Sequence, residues 1–135
     1  MKRFKNQVAV VTGGARGIGR AIAHRLASEG GTVVIFDVLH ARLQQTLEEM
    51  GRENLAVSGR PVDITDEEAV RAAIDEVAQR HGRLDVLVNC AGIVGESSVK
   101  IADYSTAVFD KAVEVNLKGA FLLTKYAIPH MLERG

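Results

Sequence analysis

Four glycines stand close together near the start of the sequence, directly after the apolar run 8–11. A helical pattern follows them at once. The first amides of a helix have no partners within the helix, and the helix dipole places partial positive charge there. Because glycines have no Cβ, a phosphate can approach those amides closely. The stretch therefore predicts a site for a nucleotide pyrophosphate, made of Thr12, Gly13, Gly14, Arg16, Gly17, Ile18 and Gly19.

The spacing of these glycines leaves the pyrophosphate interpretation open to alternatives. It is Gly-x-x-x-Gly-x-Gly, whereas the general dinucleotide fingerprint is Gly-x-Gly-x-x-Gly. A glycine-rich turn could also be only a tight connection from a strand to a helix. A P-loop is excluded, because no Gly-Lys-Ser or Gly-Lys-Thr follows.

A carboxylate and a guanidinium bear on which nucleotide binds. Asp37 ends the second apolar strand, 18 residues after Gly19. A carboxylate there accepts the ribose hydroxyls of an adenosine and repels a 2′-phosphate. Arg16, within the turn, could pair with a phosphate, including a 2′-phosphate. The alternatives are a turn aspartate at a strand end and a solvated arginine. Asp37 is the better placed of the two, so we predict NAD, with NADP as the second possibility.

The elements that must position these residues alternate along the chain. Apolar strands are predicted at 7–12, 32–36, 55–62 and 84–88. Helices are predicted at 16–29, around 43–50, from the capping box Thr65/Glu68 to about 81, and at 102–107 and 108–131. The apolar face of the first helix would be Ile18, Ala21, Ile22 and Leu26.

This alternation implies an α/β fold with a parallel sheet and right-handed crossovers. The doubly wound, Rossmann-type strand order would be 3-2-1-4, with the ligand crevice outside the carboxyl ends of strands 1 and 4. Strand 3 contains Gly59 and Pro61, so we expect it at or near the sheet edge.

Composition limits the remaining classes. The chain has 135 residues, enough for one domain, and 17 basic residues balance 17 acidic ones. This balance favours neither nucleic acid nor an anionic membrane as a partner. The first residues lack the apolar segment of a signal peptide, and no apolar run approaches the roughly 20 residues that span a bilayer. The single cysteine, Cys90, allows no internal disulfide, and we expect a cytoplasmic protein.

Five segments together resemble the short-chain dehydrogenase/reductase family over essentially the whole chain: the glycine turn, Asp37, Asp63-Ile64, Asn89-Cys90-Ala91-Gly92 and residues 115–121. The resemblance implies an NAD(P)-dependent oxidoreductase that transfers hydride between nicotinamide and an alcohol or carbonyl carbon.

The resemblance also assigns roles to residues after the second strand. It implies that Asp63 contacts the adenine with help from the backbone of Ile64; the alternative is an aspartate at a helix entry. The segment with Asn89, Ala91 and Gly92 is similar to the family's Asn-Asn-Ala-Gly, with the cysteine as a small packed residue, and Ile93 would face the nicotinamide.

Asn116 matches the family's helix asparagine, which perturbs its helix and holds a water in the proton relay. It is the only catalytic-type residue that the resemblance assigns in this chain. The alternative is a buried polar group satisfied by the backbone.

The family's acid/base pair, Tyr-x-x-x-Lys, has no counterpart in the sequence. Val108 stands four residues after Tyr104, and His130 four residues after Tyr126. We therefore expect a single Rossmann domain over 1–135 that carries the cofactor half of an enzyme, truncated before this pair and inactive alone. With strand 4 at an edge and the long helix incompletely packed, we expect it to aggregate or to be partly unfolded.

The complete protein would be a homo-oligomer, a dimer or tetramer through the long helices, and would act on a small molecule that the sequence does not identify. The alternatives are a non-catalytic dinucleotide-binding or regulatory protein and, less well supported by the turn spacing, another Rossmann enzyme such as a methyltransferase.

Overall fold

Four parallel strands form one sheet at the centre of the molecule. The computed structural model describes residues 1–134, and in it the strands are β1 (Val8–Thr12), β2 (Thr32–Asp37), β3 (Val57–Pro61) and β4 (Val86–Asn89). Their order is β3-β2-β1-β4, and Val10 of β1 stands opposite Val34 and Leu87. The predicted Rossmann-type α/β fold, its strand order and the edge position of β3 are confirmed.

Helices cover both faces of this sheet. They are α1 (Gly17–Ser28), α2 (His40–Arg52), α3 (Glu67–His81), α4 (Thr106–Val113) and α5 (Gly119–Leu132). Side chains alternate along a strand, so one face of β1 and β2 packs against α1 and α2 and the other face against α3 and α5. None of the helices within residues 1–134 is both long and apolar enough to cross a membrane.

The buried face of α1 agrees with the predicted one at Leu26 and at the partly buried Ile22, and differs from it at Ile18 and Ala21. Ile18 is 78% exposed and Ala21 is exposed, whereas the buried residues are Gly19, Ala23, Leu26 and Ala27. The helix starts directly above the glycine turn, and a Cβ at Gly19 would overlap the carbonyl oxygen of Gly13. Only residues without a large side chain fit there. The first turn of α1 therefore makes its contact through Gly19 and not through Ile18.

The predicted capping box at the start of α3 is also wrong. The helix is capped by Asp66, whose side chain accepts a hydrogen bond from the amide of Ala69 at 3.1 Å. The hydroxyl of Thr65 donates instead to Asp63 Oδ1 at 2.7 Å. Because the Asp63 turn takes up this hydroxyl, the cap falls one residue later. The predicted end of the helix is confirmed, with Gly82 in the left-handed conformation after His81.

The helical stretch after β4 begins later than predicted. Residues 102–107 do not form a separate helix: a short 3-10 turn, Ile101–Asp103, is followed by extended backbone at Tyr104 and Ser105. Ser105 caps α4 by accepting from the amide of Val108 at 3.4 Å. A wider π-helical turn, Glu114–Lys118, then joins α4 to α5 without a break. The serine cap therefore sets the start of the helix.

Candidate dinucleotide-binding site

The ends of β1 and β4 are joined by one buried side chain. Thr12 pairs with Asn89 in the sheet and is fully buried. Its hydroxyl donates to the carbonyl of Val88 at 3.5 Å and accepts from the amide of Ala91 at 3.2 Å. The glycine turn and the 89–92 segment therefore meet at the carboxyl edge of the sheet, where a doubly wound fold has its ligand crevice.

Three glycines of the turn permit close packing. Gly13 has φ +64°, and a Cβ there would lie 2.8 Å from the Cα and the amide nitrogen of Ala91. A Cβ at Gly14 would lie 2.7 Å from a methyl carbon of Ile35, and Gly19 packs on Gly13. The predicted phosphate turn is thus built against both neighbouring strands.

Gly17 faces open space instead. It has φ +59° and no atom lies within 4 Å of where its Cβ would stand. The N-cap residue of α1, Arg16, makes no side-chain cap, and the first turn contains no acidic residue. An approaching anion would meet amides that carry the positive end of the helix dipole.

Asp37 ties β2 to the glycine turn. Asp37 is buried, with 8% of its surface exposed. One carboxylate oxygen accepts from the amide of Ala15 at 3.0 Å, and the other accepts from the amide of Leu39 at 2.9 Å. A carboxylate offers about four lone-pair positions, so these two bonds leave acceptor capacity for a ribose hydroxyl. The two interpretations, turn aspartate and ribose acceptor, are therefore compatible.

A surface cavity of about 650 Å³, wide open to solvent, lies beside the turn. It is lined by Arg16, Val38, Leu39, His40, Ala41 and Arg42. Arg16 is exposed, and Val38 adds an apolar wall that is 62% exposed. The sequence prediction did not include His40 and Arg42; the signal for them is a pair of basic side chains within five positions after Asp37.

Asp63 and Ile64 make different contacts. The Asp63 carboxylate accepts from the hydroxyl and the amide of Thr65, and these bonds, the hydroxyl first, lower its pKa below the ordinary value. Ile64 is 6% exposed and its side chain packs against Gly119, where a Cβ would be about 2.5 Å away. Ile64 is thus a core residue beside the start of α5, and Asp63 sits in the turn that leads into α3.

The 89–92 segment combines two exposed residues, Asn89 and Gly92, with two partly buried ones, Cys90 and Ala91. Asn89 is exposed at the end of β4, while Cys90 is partly buried and faces Gly19. Burial raises the pKa of the Cys90 thiol. A raised pKa suits a packed thiol rather than a nucleophile, as the sequence predicts.

Asn116 holds Ile93 by both backbone groups. Its Oδ1 accepts from the amide of Ile93 at 2.8 Å, and its Nδ2 donates to the carbonyl of Ile93 at 2.9 Å. Asn116 lies within the π-helical turn, a feature often found at functional sites. It also lies 3.2 Å from where a Cβ on Gly92 would stand. The asparagine thus fixes the chain just after β4.

The hydroxyls of both tyrosines are hydrogen-bonded to groups elsewhere in the chain. The hydroxyl of Tyr126 donates to Glu67 at 2.7 Å, and Lys125 donates to the same carboxylate oxygen at 2.9 Å. The bond to Glu67 raises the pKa of Tyr126. The hydroxyl of Tyr104 accepts from the amide of Glu96 at 2.9 Å. Both tyrosine hydroxyls are therefore hydrogen-bonded to other groups of this chain.

The sheet order, the glycine turn and the crevice define a Rossmann-type dinucleotide-binding fold. The model of the short chain dehydrogenase family matches residues 7–135. The chain belongs to this family.

Relatives of this family share both sequence and structure with the chain. An uncharacterized oxidoreductase of Bacillus subtilis, YxbG, is 37% identical over all of this chain and 49% of its own length. The 2-dehydro-3-deoxy-L-rhamnonate dehydrogenase (NAD(+)) of a Sphingomonas species is 33% identical over 98% of this chain and 51% of its own. A crystal structure of an actinorhodin polyketide ketoreductase with NADPH superposes with a TM-score of 0.89 at 36% identity, over 95% of this chain and 49% of that one. The chain thus spans about half the length of the relatives it matches.

Proposed function

We propose that this chain forms the dinucleotide-binding domain, residues 1–135, of an NAD(P)-dependent oxidoreductase of the short-chain type. The reaction is hydride transfer between nicotinamide and an alcohol or carbonyl carbon, and the nicotinamide, when bound, supplies or accepts the hydride. The observation that carries the proposal is the contact of Gly13 with Ala91 and the Thr12 hydrogen bonds, which bring the glycine turn and the end of β4 to one crevice. The relatives' names, dehydrogenase and ketoreductase, support it.

Each part of the dinucleotide has residues suited to it. The start of α1 with Gly17 and Ile18 would bind the pyrophosphate, and Asp37 would accept the adenosine ribose hydroxyls. The adenine would lie near Asp63 and Ile64. The nicotinamide end would lie along Asn89, Ala91, Gly92 and Ile93.

In this proposal Asn116 keeps Ile93 in place beside the nicotinamide and holds a water for the proton relay. Its two bonds to Ile93 support the first role.

Asp37 favours NAD, because the negative charge of its carboxylate would repel the 2′-phosphate of NADP. NADP is the second candidate, because the cavity beside the turn carries Arg16, His40 and Arg42. Two of the three relatives named above differ in the same way, one with NAD(+) and one with NADPH in its name.

Titration of the protein with NADH and NADPH, followed by nucleotide fluorescence, tests both the function and the choice. We expect NADH to bind more tightly than NADPH. Arg16→Ala should weaken NADPH about tenfold more than NADH, the order expected for one charge-assisted hydrogen bond. Arg52→Ala is the matched control. Arg52 lies in the last turn of α2 and does not line the cavity, so this substitution should change neither affinity. Tighter binding of NADPH by the wild type would refute the Asp37 argument.

A non-catalytic dinucleotide-binding or regulatory protein is the second candidate function. It is favoured by the hydroxyls of Tyr104 and Tyr126, which are bound to other groups. The coding sequence beyond codon 135 separates the candidates. A continuation with a strand, a serine and Tyr-x-x-x-Lys supports the oxidoreductase, and a stop codon with a folded product supports the binding protein.

We further propose a small-molecule substrate, a cytoplasmic location and, for the complete protein, a homo-oligomer formed through α4 and α5. The balanced charge and the free Cys90 support the first two. Exposed apolar residues on α4 and α5 support the third.

A further inference from the structure

Ala15, at the centre of the glycine turn, is held on both sides by side chains from other elements. It is fully buried. Its amide donates to Asp37 at the end of β2, 22 residues away, at 3.0 Å. Its carbonyl accepts from the hydroxyl of Thr46 on α2, 31 residues away, at 2.6 Å.

Thr46 is an unusual residue for its position. It is fully buried on the face of α2 that also carries Leu43 and Met50. A hydroxyl among apolar side chains is costly unless it is hydrogen-bonded, and valine has the same shape without this cost. A helical threonine commonly bonds back to its own helix, as Thr124 does to the carbonyl of Ala120 at 2.8 Å. Thr46 donates to the turn instead.

The bond to Thr46 sets the orientation of one peptide group. In a planar trans peptide the carbonyl and the following N–H point in opposite directions. Because the carbonyl of Ala15 points to α2, the N–H of Arg16, the N-cap residue of α1, points away from α2. The orientation of this peptide fixes the direction of the Arg16 N–H at the start of α1.

We propose that Thr46 is a positioning residue for the dinucleotide. It holds the Ala15–Arg16 peptide in the orientation that the pyrophosphate requires, while Asp37 holds the other side of Ala15. The role of Thr46 in dinucleotide binding rests on the proposed function. Its hydrogen bond to the turn does not. Preorganisation of this kind raises affinity, because the ordering of the turn has been completed before the ligand arrives.

The test compares Thr46→Val, which keeps the shape and removes the hydroxyl, with Thr46→Ser, which keeps the hydroxyl. We expect Thr46→Val to weaken NADH binding about tenfold, the order expected for one lost buried hydrogen bond. Thr46→Ser should retain the wild-type affinity. Thr124→Val is the control for loss of a threonine hydroxyl, and Val70→Ala, on the opposite face of the sheet, is the control for general loss of stability. Both controls should bind NADH as the wild type does.

A second measurement needs no nucleotide. Amide hydrogen exchange of the ligand-free protein should show faster exchange at residues 13–17 in Thr46→Val, and wild-type rates there in Thr46→Ser and Val70→Ala. Thr46→Ala, which also lacks the hydroxyl, replaces Thr46→Val if the latter does not fold.

Unchanged exchange at residues 13–17, or unchanged NADH affinity, in the variant without a hydroxyl would overturn the proposal. It would also be overturned if Val70→Ala lost as much NADH affinity as that variant does while both lost the same amount of melting temperature. If the wild type binds no NADH, the proposed function fails, and the exchange measurement alone decides whether Thr46 holds the turn.

Discussion

Two neighbouring strands of the same sheet are in very different surroundings. All five residues of β1 are buried, whereas none of the four residues of β4 is, and Asn89 at its end is exposed. β1 lies between β2 and β4, and β4 lies at an edge of the sheet. A parallel strand becomes fully buried only when neighbours cover its edges and helices cover both of its faces. The sheet is therefore covered around β1 and uncovered at β4. We call β1, β2, α1 and α2 the closed side, and β4 with the chain from 90 to α5 the open side.

The helices show the same contrast. On the closed side, α1 and α2 bury Leu26, Leu43 and Met50. On the open side a row of apolar residues along α4 and α5 is exposed: Phe109 (57%), Leu117 (67%), Phe121 (59%) and Leu132 (71%). Large exposed apolar surfaces mark places where a protein contacts something else.

This contrast divides the candidate site. The glycine turn, Asp37 and Thr46 belong to the closed side and are held by buried hydrogen bonds. Asn116 and Ile93 belong to the open side, where both are exposed and each holds the other. The side that would bind the pyrophosphate is thus more completely built within this chain than the side that would bind the nicotinamide.

The largest contrast should appear between two leucines of the α4–α5 stretch. Leu122 is 1% exposed and Leu117 is 67% exposed. We expect Leu122→Ala to lower the free energy of unfolding by about 2–5 kcal/mol, because it leaves a cavity in the core. Leu117→Ala should change it by less than about 0.5 kcal/mol. Urea denaturation measures both, and similar losses would show that the open side is packed in solution.

A second contrast concerns two glycines with similar φ. Alanine at either position is strained by about 1–2 kcal/mol, because both have a left-handed backbone. Gly13→Ala would also place its Cβ against the backbone of Ala91, whereas Gly17→Ala would meet open space. Gly13→Ala should therefore destabilise the fold by roughly 1–3 kcal/mol more than Gly17→Ala, the range for overpacking.

Thermal melts of the two variants measure this difference. If Gly17→Ala proves the more destabilising, the close approach of the turn to β4 is not the constraint that the structure shows.

The smallest effect concerns pH and the closed side. Glu29, at the end of α1, accepts from Arg3 and Arg25, and these bonds, Arg3 first, lower its pKa to about 2. A carboxyl whose pKa is lower in the folded than in the unfolded state stabilises the fold above its unfolded pKa, about 4.3 for glutamate. This contribution is lost as the pH falls through the folded value.

Glu29→Gln should therefore lower the melting temperature at pH 6 and reduce its dependence on pH between about 4.3 and 2. Glu48→Gln, at an exposed position of α2, is the control and should melt as the wild type does at each pH. An unchanged acid dependence in Glu29→Gln would mean that the N-terminal segment is not tied to α1 in solution.

Most of the fold could be predicted from the sequence. The alternation of apolar strands and amphipathic helices, each a local pattern, determines a parallel sheet, and the order β3-β2-β1-β4 follows from the doubly wound arrangement. The glycine turn was found because its residues are adjacent in the chain. The predictions that were wrong depend on packing: the contact face at the start of α1, the cap of α3 at Asp66 and the start of α4 at Thr106.

The sequence by itself determined the family, the sheet and the position of the glycine turn, because each depends on residue types at short spacing. Only the tertiary structure decided how the turn is held. The spacing of Thr46 from Leu43 and Met50 indicates the buried face of α2, but its partner lies 31 residues away, and no local pattern identifies the carbonyl to which its hydroxyl donates. Burial and the crossing of α2 over the turn are properties of the folded chain, and they make this hydroxyl a donor to the turn.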